Sequence, residues 1–171
     1  MLRKWIVLLT MSCMIGLIGC SNEETSLSDE EVKTMIHEYS TDQLEATSAS
    51  VNANQLIVEK DNETMAYDLP EEEFFLSIAP FQNATHPCTY HSLTGCQSEL
   101  TDTTFDVYIE DADGNIIVNK EMTSFNNGFI DIWLPRNEKF YVTISYQDKE
   151  AKAELSTFDD DPTCITTMQL L

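Results

Sequence analysis

The sequence predicts a mainly β protein, with a β-sandwich-like C-terminal domain over residues 71–171 and a small α+β region over 28–70 in front of it. Three observations carry this reading. After residue 71, runs of aromatic and β-branched residues recur at a spacing of roughly 8 to 12 residues with turn residues between them, the rhythm of a sandwich. Within those runs the side chains alternate, most plainly where Phe129, Asp131 and Trp133 oppose Ile130, Ile132 and Leu134, and where Tyr141, Thr143 and Ser145 oppose Val142, Ile144 and Tyr146. A helical period, by contrast, is clear in one early segment, where Val32, Met35, Ile36 and Tyr39 are interleaved with acidic residues.

The elements follow in order. Residues 1–4 are a short basic segment and residues 5–18 an apolar stretch, too short for a membrane-spanning helix, which needs about 20 apolar residues. The stretch ends Leu17-Ile18-Gly19-Cys20, which resembles the lipobox of bacterial lipoproteins. Residues 1–19 therefore read as a lipoprotein signal peptide, Cys20 as the acylated N-terminus, and the polar, aperiodic residues 20–27 as the lipid-anchored tether. Ser28 and Glu31 stand at capping-box spacing and open a helix over 29–39, which Thr41 and Asp42, as a second N-cap, extend or restart as far as Leu44. Short apolar runs at 55–58 and 65–69 flank Asp61-Asn62-Glu63 as a hairpin, and Pro70 before three glutamates marks a boundary. Strands are then expected over 74–78, 105–109, 116–119, 129–134, 140–146 and 151–155.

Charge excludes several functions. Nine basic residues against 30 acidic ones give a formal net charge of −21, and loss of Arg3 and Lys4 with the leader leaves 7 against 30, a net −23. The remaining basic residues are scattered singly. That pattern excludes phosphate-neutralising nucleic-acid binding and electrostatic docking on anionic lipid. The expected location is extracytoplasmic, at a bacterial membrane, with the lipid as the membrane contact.

Five cysteines become three once Cys13 leaves with the signal and Cys20 takes the lipid, and the three are Cys88, Cys96 and Cys164. An odd number in an oxidising compartment leaves a free thiol, an intermolecular bond, or a site using all three for something other than disulfides. Two of them lie in the dense stretch Thr85-His86-Pro87-Cys88-Thr89-Tyr90-His91-Ser92-Leu93-Thr94-Gly95-Cys96. Pro87 forces His86 toward an extended backbone, which keeps His86 and Cys88 close. Cys88 and Cys96 bracket a short loop that can bring two sulfurs together, as a disulfide or as two ligands of one ion, with His91 leaning in. Cys164 completes such a site only if the final segment folds beside this loop. Three thiolates suit a soft ion: Cu(I) accepts two or three, whereas zinc would need His86 or His91 as a fourth ligand. A Cys88–Cys96 disulfide with Cys164 buried and inert stays open on these grounds.

Other candidates point elsewhere. Asp111-Ala112-Asp113-Gly114-Asn115 imitates the start of a calcium loop, but Ile116 and Met122 stand where Gly and Glu are required, so it reads as a turn between strands. Asn62-Glu63-Thr64 and Asn83-Ala84-Thr85 match the glycosylation pattern and read as turns. Asp159-Asp160-Asp161 reads as a solvated loop. Met168, on the face of Cys164 in a strand over 164–170, would lie about 13 Å from it and reads as core. No nucleophile elbow, phosphate loop or zinc-protease motif is present.

The segments 74–81, 86–88, 91–96, 128–135 and 163–170 resemble the CueP family of extracytoplasmic copper-binding proteins, over most of the processed chain and least before Asn54. The resemblance implies that Cys88, Cys96 and Cys164 are the copper ligands and that the protein serves copper resistance or delivery. The lipobox departs from a soluble periplasmic form and speaks for tethered sequestration over a diffusing shuttle. The expected protein is thus a lipid-anchored Cu(I)-binding lipoprotein, with a copper-acceptor or thiol-reducing protein as partner. The alternatives are a thiol-dependent Cu(II) reductase and a disulfide-stapled interaction lipoprotein without metal.

Overall fold

The computed structural model describes residues 27–171. The leader, Cys20 and the tether through residue 26 lie outside the described residues. Ser28 caps helix α1 (Asp29–Ser40): its hydroxyl accepts from the Glu31 backbone while the Glu31 carboxylate accepts from the Ser28 N–H. Two orphan donors of the first turn are thereby satisfied. The helix stops at Ser40 and does not run on to Leu44, because Asp42 takes a left-handed φ of 57° that a helix cannot absorb. Among the described residues no helix is long and apolar enough to cross a membrane.

Three sheets follow. In the first, β1 (Ser48–Val51), β2 (Gln55–Lys60), β3 (Glu63–Asp68) and β5 (His91–Ser92) lie in the order β3-β2-β1-β5, all antiparallel. Asp61 and Asn62 both adopt positive φ at the β2–β3 hairpin, as a two-residue primed turn requires. The second sheet runs β10-β9-β6-β7, from β6 (Thr104–Asp111), β7 (Ile116–Thr123), β9 (Lys139–Tyr146) and β10 (Lys149–Ser156). The third sets β4 (Glu73–Ile78) between β8 (Ile130–Pro135) and β11 (Cys164–Ile165), the last pairing parallel. Residues 164–170 do not form one strand: only Cys164–Ile165 pair, followed by a single bridge between Phe81 and Gln169.

The expected alternation is realised in the sandwich. Phe74, Leu76 and Ile78 of β4 and Ile130, Ile132 and Leu134 of β8 pack on Phe105, Val107 and Ile109 of β6 and Phe140, Val142 and Ile144 of β9. The opposite face of the β4–β8 pair is covered as well. Phe75 and Trp133 there meet Val32, Ile36 and Tyr39 of α1 and Ala49, Val51, Leu56 and Val58 of the first sheet. Asp131, on the polar side of the β8 alternation, is consequently half-buried and accepts from Ser40 and Ser77, each at 2.6 Å. Lys33 reaches Glu73 and lies over Trp133, and Arg136 donates to the carbonyls of Ala53 and Pro70, so polar groups also cross between the two regions.

Candidate metal centre

Where β4 ends, a third buried cluster gathers Ala79, Cys96, Phe129 and Cys164, with Cys88 packed against it. Each cysteine is brought there by a separate device. The segment after Phe81 is gripped by the Glu99 carboxylate, which accepts from the backbone of Gln82, Asn83 and Ala84. Thr85 then donates to the Thr166 carbonyl at 2.8 Å, so the stretch carrying His86 and Cys88 runs along the final segment of the chain. His91 enters β5 opposite Val51, and after Leu93 the backbone reverses through Gly95, with the N–H of Cys96 donating to the Ser92 carbonyl at 3.0 Å. Cys164 is fixed from both sides. It pairs with Ser77 in β4, while the N–H groups of Thr163 and Cys164 both donate to the Thr89 carbonyl. The final segment does fold beside the loop, as a site using all three cysteines requires.

All three cysteines carry free thiols. Cys88 and Cys96 stand 3.6 Å apart at sulfur, and the Cys88 thiol also donates to the Tyr90 carbonyl at 3.3 Å. Two sulfurs each about 2.3 Å from one ion, the zinc–thiolate distance, would be separated by about 3.8 Å, so this spacing fits two ligands of one ion. Two triads of donor atoms occur, the atoms of each within 4.8 Å of one another: His86, Cys88 and Cys96, and His91, Cys96 and Cys164. Cys96 belongs to both. The outer triad is half-buried at His86 and Cys88, whereas every member of the inner triad is buried.

His91 sets the chemistry of the inner side. The residue is 0% exposed, its ring tilted against Phe129 at 4.5 Å and lying 6.3 Å from Phe75. Neither ring nitrogen makes a hydrogen bond of acceptable geometry. Leaving one buried polar group unpaired costs about 1–3 kcal/mol, so this imidazole is conspicuous unless something else binds it. Thr163 fixes its backbone, accepting from the His91 N–H and donating to the Val51 carbonyl.

The thiols do not share their protons equally. Hydrogen bonding from Cys164, opposed by burial and aided by the nearby imidazoles of His91 and His86, pulls the Cys96 thiol down to about 2. Cys164 moves up because it donates to Cys96 and because it is buried, and burial likewise raises Cys88. The arrangement favours the thiolate at Cys96 over its two neighbours. Deprotonated sulfur is the metal-binding form.

The family model described as periplasmic copper-binding protein CueP matches residues 21–169. The chain belongs to the CueP family. It is also similar to the crystal structure of S.CueP, with 36% identity, a TM-score of 0.77, and 82% of this chain and 88% of that chain covered. No curated protein matches it. CueP membership makes copper the metal of interest and places the protein outside the cytoplasm.

The rest of this CueP chain separates the cluster from the other acidic and sulfur-bearing motifs. Met168 is buried in the sandwich core. The Asp111 carboxylate is occupied by its own turn, accepting from the backbone of Asp113 and Asn115 and from the Asn115 amide, with Gly114 at a φ of +84°. Asp161 accepts from the Phe158 N–H and Asp159 pairs with Arg136. Sequence reasoning named both histidines, but it missed Phe129 as the aromatic packed against both and Thr163 as the anchor of His91. An aromatic at the start of an expected strand and a threonine beside a cysteine carry no signal of their own.

Proposed function

We propose that the chain is a lipid-anchored copper protein that binds Cu(I) through the thiolates of Cys88, Cys96 and Cys164, for sequestration, resistance or hand-over outside the cytoplasm. His86 and His91 are the neighbouring nitrogen donors. The observation that carries this reading is the meeting of three free sulfurs with a buried imidazole whose nitrogens have no partner. A soft d10 ion answers both needs, since it takes thiolates by preference and accepts a nitrogen. Zinc would have to recruit one of the histidines as a fourth ligand, which the donor set allows but the copper-binding family disfavours. Acylated Cys20 would keep the site at the membrane surface.

The test is an anaerobic competition titration of reduced protein, residues 21–171, against a coloured Cu(I) chelator. One tightly held equivalent is expected, weakened about thirtyfold or more, or about 2 kcal/mol, by each of Cys88→Ser, Cys96→Ser and Cys164→Ser. Failure of the wild type to compete overturns the reading.

The 3.6 Å approach of Cys88 to Cys96 also favours a second reading. There the two thiolates give one electron each to two Cu(II) ions, forming a Cys88–Cys96 disulfide and two Cu(I), and a thiol-reducing partner restores the pair. Loss of two free thiols per chain on adding Cu(II) would support it, and unchanged thiols would exclude it.

A further inference from the structure

We propose that the cluster is a two-sided relay in which the two histidines have different tasks: His86 loads and unloads copper on the outer side, and His91 retains it on the inner side. This rests on the copper-binding reading above.

The two donor triads differ in depth and share one atom. His86 and Cys88 are half-buried and stand next to the exposed Tyr90, while His91 and Cys164 are almost fully enclosed. The Phe129 ring packs against both imidazoles, at 6.3 Å from His86 and 4.5 Å from His91. A chelator, a free thiol or the donor atoms of an acceptor protein can reach the outer pair and cannot reach the inner one. Copper reaching the inner triad must therefore pass the sulfur common to both, Cys96.

Passage is ligand exchange without electron transfer. An ion on His86, Cys88 and Cys96 forms a bond to Cys164 Sγ, making the three-thiolate set, and then a bond to a ring nitrogen of His91. The bond to His86 breaks, Cys88 stays on as the third thiolate, and the proton that Cys164 gives up on binding passes to solvent. Copper stays Cu(I) throughout. Cys96 never lets go, so the ion is never without a thiolate.

The unpartnered nitrogens of His91 are the independent sign of the inner station. A buried imidazole serving only as packing would be expected to donate or accept at least once. His86 has solvent for a partner and needs no metal to satisfy it, which suits a ligand that binds and releases.

Two measurements separate the tasks: equilibrium Cu(I) affinity, and the stopped-flow rate at which the one-to-one complex surrenders copper to excess chelator. For His86→Ala we expect release slowed by about tenfold with affinity changed by less than about threefold, because a loading ligand lowers the barrier in both directions. For His91→Leu we expect affinity reduced by at least about tenfold and release accelerated, since a retention ligand acts on the dissociation rate. His91→Gln, which keeps the size and polarity of the ring, should behave in the same direction, and the melting temperature of each metal-free variant confirms that it is folded. Equal effects of His86→Ala and His91→Leu on affinity and rate would overturn the relay while leaving copper binding intact, as would faster release from His86→Ala. A wild type unable to compete for Cu(I) overturns the copper reading itself.

Discussion

The Asp111 turn and the Cys88–Cys96 loop both look like ion sites in the sequence, and the structure treats them in opposite ways. In the turn, three donors converge on one carboxylate: the N–H of Asp113 at 2.9 Å, the N–H of Asn115 at 2.8 Å and the Asn115 amide at 2.7 Å. Its lone pairs are consumed in shaping the chain, and these bonds hold the Asp111 carboxyl below its ordinary range. In the loop, the backbone is satisfied by Thr163, Ser92 and Thr89, while both nitrogens of His91 are left without partners. The difference teaches that binding capacity lies in what a fold leaves unsatisfied, more than in which residue types it gathers.

The comparison can be broken at several points. The largest effect is expected at the shared sulfur: Cys96→Ser should reduce Cu(I) affinity by about a thousandfold, roughly 4 kcal/mol, and by more than Cys88→Ser or Cys164→Ser, in the same competition titration. If it is the mildest of the three, Cys96 is not the common ligand.

Acidity comes next. Cys88 and Cys164 are raised and Cys96 is down at about 2, so at pH 7 two thiols carry protons that copper must displace. Cu(I) affinity should then fall by roughly 100-fold per unit as pH drops from 7 to 6, the slope of two released protons. A pH-independent affinity would show that copper binds elsewhere.

The turn should answer differently. Asp111→Ala removes the acceptor that organises the β6–β7 connection and should lower the melting temperature by about 2–4 °C, while leaving the Cu(I) titration unchanged. Any loss of copper affinity in this variant would undo the contrast between the two loops.

The smallest effect concerns Asp131, whose carboxyl is raised by burial despite the Ser40 and Ser77 hydroxyls. A raised acid binds its proton longer in the folded state, so the folded protein loses stability as pH rises through that range. Asp131→Asn, read by thermal melting, should gain more relative to wild type at pH 7 than at pH 4. The opposite trend would mean that the charged form is the one the fold favours.

Much of this was legible, and the gaps have physical causes. The strands of the sandwich follow from alternation, because Phe105, Val107 and Ile109 or Phe140, Val142 and Ile144 repeat every second residue. The capping box gave away the start of α1 through two residues at fixed spacing. By contrast β1, with two serines in four residues, and β5, two residues long, exist only because they pair with each other and with β2. Cys88, Cys96, His86 and His91 stood out by their density. That Cys164 joins them depends on the parallel pairing of β11 with β4, a contact between distant segments that no local pattern encodes. Likewise the polar face of β8, with Asp131 and Trp133, reads as solvent-facing until the helix and the first sheet are seen to cover it.

The most direct test of the central claim is the copper K-edge X-ray absorption spectrum of the one-to-one Cu(I) complex. A first shell dominated by sulfur, lost in Cys96→Ser and unchanged in Asp111→Ala, is the expected result. A shell of oxygen or nitrogen alone that persists without Cys96 would contradict it.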